Sequence, residues 1–289
     1  MPRNDIMKTI KIVGVPEHFN LPWQMCIENG EFSAIGIDLQ WTDIPEGTGK
    51  MCQMLRDGET DIAVILTEGI VKDIVAGNNS AIVQVYVESP LIWGIHVGAT
   101  SKYNSLADLE NTKVAISRYG SGSHLMAYVN AQNEKWNTDN LQFKVVNSID
   151  GAVEALTNGS ADYFMWERFM TKPLVDQGVF RRLADCPTPW PCFVIAVRNE
   201  FMEANKQSVA LILETINNTT IEFKDIPSID RTLASKYHQK LEDIHEWLSL
   251  TKWSQKPLEE KVLNNIQNQL FDLKIIDKKG TFVKIVKAI

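Results

Sequence analysis

The sequence predicts an α/β fold of two lobes, each with a mostly parallel sheet covered by helices. Strand-like and helical segments alternate from the beginning of the chain, which is the pattern of βαβ units. The alternation restarts at Val114 after a polar connector, and the apolar run Phe193–Val197 suits a strand that returns to the first lobe. We therefore predict two crossings between the lobes, with residues 1–95 and 196–289 in lobe 1 and residues 96–195 in lobe 2.

In lobe 1, apolar runs predict strands, and apolar residues at helical spacing predict the helices between them. The predicted strands are Thr9–Val15, Ile37–Thr42, Ile62–Leu66 and Ala81–Val87. The predicted helices are Trp23–Asn29, Gly49–Arg56 and Gly69–Ala76. This regular alternation favours a parallel sheet, because parallel strands need a crossover connection that is usually a helix.

Lobe 2 shows the same alternation, and the chain then becomes mainly helical. Its predicted strands are Val114–Ser117, Gln142–Val146 and Tyr163–Trp166, and its predicted helices are His124–Gln132, Ile149–Thr157 and Met170–Gln177. Beyond the returning strand, apolar residues at helical spacing predict the helices Val209–Phe223, Ser228–Leu241, Ile244–Leu248 and Leu258–Leu270. We therefore expect a helical carboxyl-terminal region attached to lobe 1.

Composition excludes several classes of function. A chain of 289 residues with 44% hydrophobic residues can bury a large core, and its net charge of −7 argues against binding to nucleic acid or to an anionic membrane. The four cysteines are scattered without a C-x-x-C pair, and no histidine stands beside them at zinc-ligand spacing. We expect buried, reduced thiols, no metal site and no cofactor.

The amino terminus passes into the first predicted strand without a continuous apolar stretch or a small-residue cleavage site. No later segment has the length of a transmembrane helix, so direct membrane insertion is not expected. From these two features we predict a cytoplasmic protein.

A glycine-serine loop carries the strongest local signal for a ligand site. It follows the predicted strand at Val114 and leads into an apolar helix, whose first turn offers free N–H groups and the positive end of the helix dipole. It lacks a lysine at Walker spacing, which disfavours a nucleoside triphosphate. The candidate ligand-binding residues in this loop are Arg118, Gly120, Ser121, Gly122 and Ser123.

Other candidate ligand-binding residues follow predicted strands, because ligands of open α/β sheets bind beyond the carboxyl ends of the strands. Aromatic walls with a few placed polar groups are typical of small-molecule sites. The candidates are Glu17, His18, Phe19, Asn20 and Trp23 after the first strand, Thr48 and Glu68 after the next two, and Trp166 in lobe 2. Hydroxyls, helix starts and Arg118 suit an anionic group, whereas the glutamates suit an amine or a protonated ring nitrogen.

Three segments resemble a known family. They are Gly14–Trp23, the run Asp57–Ala63 (D-G-E-T-D-I-A) before the third strand, and Arg118–His124. The chain resembles the type II periplasmic solute-binding proteins that serve ABC transporters. The most similar branch binds nitrate, aliphatic sulfonates, taurine and thiamine-pyrimidine precursors, and includes a thiamine-pyrimidine synthase. The resemblance implies a two-lobed periplasmic-binding-protein-like fold that closes about a hinge over a small ligand.

Three functions remain open on this resemblance. The first is an intracellular small-molecule binding protein whose ligand is small and polar, with a heterocyclic or an anionic group. The second is a thiamine-pyrimidine synthase-like enzyme in pyrimidine precursor biosynthesis, although the cysteine-rich run of that synthase has no counterpart here. The third is the substrate-binding component of an ABC transporter, for which a permease partner would need an export signal that this chain lacks. His18 with Glu17 and His124 beside Ser123 are candidate catalytic pairs, but proximity in sequence does not establish a dyad. The sequence has no Ser-His-Asp order, no H-E-x-x-H and no G-x-S-x-G, so we favour binding over catalysis and predict no catalytic residues.

Overall fold

The computed structural model describes residues 7–289, which form two compact units. The first unit contains the described residues up to Ser89 together with Trp190–Ile289, and the second unit is Pro90–Pro189. Each unit contains one five-stranded sheet. The predicted α/β class is therefore confirmed.

The strands are β1 (Lys8–Gly14), β2 (Ile37–Asp43), β3 (Ile62–Leu66), β4 (Ser80–Val87), β5 (Ile92–Gly98), β6 (Lys113–Ile116), β7 (Gln142–Val145), β8 (Tyr163–Glu167), β9 (Phe180–Pro187) and β10 (Phe193–Arg198). The helices are α1 (Leu21–Glu28), α2 (Glu31–Ala34), α3 (Thr48–Asp57), α4 (Thr67–Val75), α5 (Gly122–Asn133), α6 (Ile149–Asn158), α7 (Arg168–Asp176), α8 (Asn199–Ala204), α9 (Lys206–Glu222), α10 (Ile229–Lys236), α11 (Leu241–Leu250), α12 (Glu260–Asp272) and α13 (Phe282–Ile285).

The sheet of the first unit has the order β2-β1-β3-β10-β4. β1 is parallel to β2 and β3, whereas β10 lies antiparallel between β3 and β4. The inner strands β3 and β10 are almost continuously apolar and buried, which is typical of strands covered on both faces. Ile195, for example, is fully buried and lies opposite Val64 of β3.

The sheet of the second unit has the order β7-β6-β8-β5-β9. β6 is parallel to β7 and β8, and β5 is antiparallel to β8 and β9. Small residues of α6, such as Ala152 and Ala155, pack with Phe164 and Phe180 of the sheet in one apolar cluster. A side chain on Gly151 would collide with the Val146 carbonyl, so this residue lets α6 approach the end of β7 closely.

The predicted boundaries after residues 95 and 195 fall inside β5 and β10. The two compact units instead divide between Ser89 and Pro90 and between Pro189 and Trp190. The physical reason is that β5 pairs with β8 and β9 in the sheet of the second unit, and β10 pairs with β3 and β4 in that of the first. The assignment of these units as functional lobes stays a prediction.

The carboxyl-terminal region belongs to the first unit and covers the outer edge of β4. Val85 donates its N–H to the Lys256 carbonyl at 2.9 Å, and the Tyr86 carbonyl accepts from the N–H of Ser254 at 2.9 Å. Farther along, the Lys287 N–H donates to the Ile82 carbonyl at 3.0 Å. These contacts give β4 hydrogen-bonding partners on a side that would otherwise be an open sheet edge.

Each of the four cysteines carries a free thiol and is buried, as expected for packing residues. Among residues 7–289, no group of acidic, histidine or cysteine side chains is placed to hold a metal ion. Within the same part of the chain, no helix combines the length and the apolar character needed to span a membrane.

Candidate functional site

The three parallel strands of the first unit end at one edge of its sheet, where β10 begins. We call this the first strand-end edge and define it as residues 14–20, 44–48, 66–68 and 190–192. Here α4 starts directly after β3, and Thr67 donates both its N–H and its hydroxyl to the Cys192 carbonyl, at 3.1 and 3.2 Å. Hydrogen bonds therefore join the start of α4 to the segment before β10, which is distant in sequence.

The loop after β1 places an imidazole inside an aromatic cluster. His18 is fully buried, and its ring centroid lies 4.2 Å from that of Trp247, 5.1 Å from that of Phe19 and 5.7 Å from that of Tyr237. Burial lowers the pKa of His18 to about 3, so the ring is neutral near pH 7. Trp247 of α11 and Tyr237, the residue after α10, thus help to position this loop.

Asn20 lies at the end of the same loop and is fully buried. Its amide nitrogen donates to the Val15 carbonyl at 2.8 Å, and its Oδ1 has no hydrogen-bond partner among the described residues. Trp23 instead lies in the core, packed against Phe32 and Trp41. In this structure Trp23 therefore contributes to the packing of the core.

Two carboxyl groups with raised pKa values lie at the first strand-end edge. Glu68 is 3% exposed, and its Oε2 accepts a hydrogen bond from the indole Nε1 of Trp190 at 2.8 Å. Burial raises the pKa of Glu68 to about 7, partly opposed by hydrogen bonds to its own backbone and to Trp190. Burial also raises the pKa of half-buried Glu17 to about 7. Near neutral pH, both groups exist as mixtures of charged and neutral forms.

Thr48 contributes to the same edge by packing. A Cβ added to Gly69 would lie 2.2 Å from the Cγ2 of Thr48, so the start of α3 lies directly against the start of α4. Two helix N-termini therefore meet at the first strand-end edge, and each has N–H groups without partners in its own helix.

The second unit has its own edge where β6, β7 and β8 end, and we call it the second strand-end edge, residues 117–123, 146–148 and 166–168. Its main feature is a buried cluster of three hydroxyls at the start of α5. Ser123 Oγ accepts from the Ser117 N–H at 2.9 Å and lies 3.1 Å from Ser121 Oγ and 3.4 Å from Ser117 Oγ. Ser121 caps α5 by accepting from the His124 N–H at 3.3 Å.

The residues before this helix are exposed. Arg118 and Gly120 lie at the surface, and the Tyr119 side chain is 65% exposed. Gly120 has a φ of +78°, a conformation that favours glycine, and its N–H donates to His124 Nδ1 at 3.1 Å. The exposed residues 118–120 therefore lie beside the hydroxyl cluster, and the Gly120–His124 hydrogen bond ties them to the first turn of α5.

Trp166 and Glu167 end β8. Trp166 stacks on Phe164 at 5.3 Å between ring centroids and meets the Trp93 ring edge-on at 6.2 Å. Glu167 is buried and caps α7 by accepting from the Met170 N–H at 2.6 Å. Trp166 thus lies partly buried at the edge of the apolar cluster.

The structure brings the predicted site residues into two groups. Glu17, His18, Phe19, Asn20, Thr48 and Glu68 lie at the first strand-end edge, and Arg118, Gly120, Ser121, Gly122, Ser123 and Trp166 lie at the second. The sequence analysis missed Tyr237 and Trp247 beside His18 and Ser117 in the hydroxyl cluster. Nothing in their local sequence links the two aromatic residues to the β1 loop, whereas Ser117 carried a usable signal as the last residue of a predicted strand.

Comparisons with known proteins agree with this architecture. A family model described as Ca3427-like PBP, for periplasmic binding protein, matches residues 93–186, which lie within the second unit. No curated protein sequence matches the chain.

Solved structures match nearly the whole chain. The Candida albicans CA3427 gene product, described as having the generic periplasmic binding protein fold, gives a TM-score of 0.87 at 23% identity over 96% of each chain. The aliphatic sulphonate binding protein SsuA from Escherichia coli gives 0.77 at 18% identity, over 97% of this chain and 92% of its own. SsuA from Xanthomonas axonopodis pv. citri, an alkanesulfonate-binding protein bound to MOPS, gives a TM-score of 0.81 at 16% identity. This match covers 97% of this chain and 98% of that of SsuA. The chain therefore has the periplasmic-binding-protein fold that its sequence resembles.

Proposed function

We propose that this protein binds a small polar molecule reversibly without transforming it, and that the start of α5 holds an acceptor or anionic group of that ligand. Two structural neighbours are named for binding aliphatic sulphonates and alkanesulfonates, and one of them is bound to MOPS. A sulfonate presents three acceptor oxygens and one negative charge, which suits the start of a helix.

The buried hydroxyl cluster is the observation that carries this proposal. Ser117, Ser121 and Ser123 fix the loop through bonds to one another and to backbone N–H groups. Ser121 caps the His124 N–H, and the N–H groups of Gly122 and Ser123 in the first turn of α5 have no acceptor within their own helix. Arg118 follows β6 in the same loop and adds a positive charge.

The first test is isothermal titration with MOPS and with propane-1-sulfonate. We expect Ser121→Ala and Ser123→Ala to weaken binding, because hydrogen bonds to charged groups are worth about 1.5–3 kcal/mol each, or about tenfold or more in affinity. Ser160→Ala is the matched control, since Ser160 lies between α6 and β8, away from the start of α5. Equal affinity in all three variants would remove the hydroxyls from the proposed site.

Native mass spectrometry of gently purified protein is the second test, and it should show a small molecule bound in one-to-one ratio. If that molecule is converted to a product during incubation, the synthase-like enzyme becomes the better proposal. The cytoplasmic location stays a prediction, and a permease partner stays doubtful; cell fractionation and crosslinking in the source cells would check both.

A further inference from the structure

We propose that Asn158 is a site of spontaneous covalent modification, at which the backbone nitrogen of Gly159 attacks the side-chain amide and water completes the conversion to aspartate or isoaspartate. The sequence contains Asn-Gly at two places, Asn29-Gly30 and Asn158-Gly159. Glycine favours this reaction because it has no Cβ to hinder its own nitrogen. The inference concerns the second unit alone and is independent of the proposed function.

The attacking group is the backbone nitrogen of Gly159, directly after α6. Gly159 is exposed, and its N–H forms no hydrogen bond with any other described residue. The two N–H groups that follow are both bonded: that of Ser160 donates to Asn158 Oδ1 at 2.9 Å, and that of Ala161 donates to the Ala155 carbonyl at 3.2 Å. The Gly159 nitrogen therefore loses its proton to water without the loss of a protein hydrogen bond.

The carbon that is attacked is Cγ of Asn158, the exposed last residue of α6. The bond from the Ser160 N–H to Oδ1 folds this side chain back over the peptide nitrogen of Gly159, which lies between the two bonded groups. The same bond draws electron density from Cγ and makes it more electrophilic. A Cβ built on Gly159 would meet no atom within 4 Å, so neighbouring groups do not obstruct the approach.

The reaction needs water as its only co-reactant. The Gly159 nitrogen gives its proton to water or hydroxide and forms a bond to Cγ, and the bond from Cγ to Nδ2 breaks with the release of ammonia. Water then opens the resulting five-membered imide at one of its two carbonyls. Opening at Cγ gives aspartate, and opening at the backbone carbonyl gives isoaspartate, in which the main chain continues through the side chain. Either product adds one negative charge.

The other Asn-Gly pair is held differently. The Gly30 N–H donates to the Ile27 carbonyl at 3.0 Å, and the Gly30 carbonyl accepts from the Ala34 N–H at 2.9 Å. The amide nitrogen of Asn29 donates to Glu31 Oε1 at 3.3 Å, which directs this side chain toward the start of α2. Attack by Gly30 therefore requires that a backbone hydrogen bond breaks first.

Isoaspartate at position 158 lengthens the main chain between α6 and β8. This segment is joined to β6, because the Asp162 N–H donates to the Lys113 carbonyl at 2.7 Å and the Lys113 N–H donates to the Asp162 carboxylate at 2.8 Å. The extra backbone atom must be accommodated between the end of α6 and these bonds. We therefore expect the modified protein to melt at a lower temperature than the fresh protein.

The test is incubation of the whole folded protein at pH 8, followed by peptide mapping with mass spectrometry that separates aspartate from isoaspartate. The Asn158 peptide should convert about tenfold faster than the Asn29 peptide, because Gly30 must first break its hydrogen bond. In concentrated urea the two peptides should convert at the same rate, since both pairs then lack a fixed structure. This arm shows that the folded structure causes the difference.

Two matched variants complete the experiment. Asn158→Gln keeps the amide but would have to form a six-membered ring, so it should lose the modification and keep its melting temperature on incubation. Asn29→Gln should still be modified at Asn158 and lose melting temperature as the wild type does. The inference is wrong if the two Asn-Gly peptides of the folded protein convert at equal rates, or if Asn158 stays intact while both convert in urea. Aspartate without isoaspartate would show direct hydrolysis and exclude the attack by Gly159.

Discussion

The two strand-end edges have the same architecture and different chemistry. The first presents carboxyl groups and a buried imidazole whose pKa values are shifted by burial, whereas the second has a buried cluster of neutral hydroxyls at the start of a helix. Both lie beyond strand ends, where helices begin. The comparison shows that the fold determines where polar groups collect, and the loop sequence determines which ligand group they suit.

The difference also has a consequence for stability. Titratable groups dominate the first edge, so its contribution to folding depends on pH. The hydroxyl cluster of the second edge carries no group that titrates near neutral pH, so its contribution should be independent of pH. Variants at each edge should therefore differ both in the size of their effect and in its pH dependence.

The largest effect is expected for Glu68→Gln. Since the pKa of Glu68 is raised from 4.5 to about 7 in the folded state, the neutral carboxyl stabilises the fold fully below pH 4.5, and this contribution is lost as pH rises to about 7. The variant should gain about 3 kcal/mol relative to wild type between pH 4.5 and 7. Urea denaturation across this range measures the difference, and a constant difference would contradict the shift.

A slightly smaller effect of opposite sign is expected at His18. Its folded pKa of about 3 lies below the unfolded value of 6.5, so its stabilisation is present above pH 6.5 and is lost as pH falls. By pH 4.5 the wild type should have lost about 2–3 kcal/mol from this group. His18→Phe should lose less on acidification, and His96→Phe, which removes the buried histidine of the second unit, serves as the comparison. Denaturation at pH 4.5 and 7 tests both.

At the second edge, Ser123→Ala should destabilise the protein by about 1–3 kcal/mol, because it leaves the buried Ser117 N–H without its acceptor. Ser121→Ala, which removes the helix cap, should cost about 1 kcal/mol. Both losses should be the same at pH 5 and at pH 8. A pH-dependent loss would show that a titrating group takes part in the cluster.

The smallest effect is expected at Glu88, which forms an exposed ion pair with Lys252 at 3.2 Å. Exposed pairs contribute about 0–1 kcal/mol, so Glu88→Gln should change the free energy of unfolding by less than about 0.5 kcal/mol. The same denaturation experiment, repeated at high salt, should show no further change. A large effect would show that the charge of an exposed side chain contributes strongly to the free energy of unfolding.

Much of the sheet architecture could be predicted from the sequence, because buried strands such as β3 and β10 are continuous apolar runs. β9 was missed, since this edge strand carries Arg181, Arg182 and Asp185 and shows no apolar pattern. Its strand conformation depends on pairing with β5, which is a tertiary interaction. Apolar content shows a strand but not the sheet in which it pairs, so the predicted boundaries after residues 95 and 195 fall inside β5 and β10.

The position of a candidate residue just beyond a strand could be predicted where a loop follows a predicted strand, as for Glu68 and the serines before α5. Burial could not be predicted in the same way. Trp23 was proposed as a site residue, yet Phe32 and Trp41 enclose it. The environment of His18 depends on Trp247, more than two hundred positions along the chain, and no local pattern encodes such a contact. The ligand-binding roles of these residues stay predictions.

Because β10 belongs to the first sheet, the two units receive their last strands at different stages of synthesis. The second unit has all five of its strands in one continuous stretch of chain, from β5 to β9. The first sheet stays split until β10 enters between β3 and β4, after the whole second unit has been made. During synthesis, all strands of the second unit are therefore present before those of the first. Until β10 is made, the edges of β3 and β4 that pair with it stay unpaired.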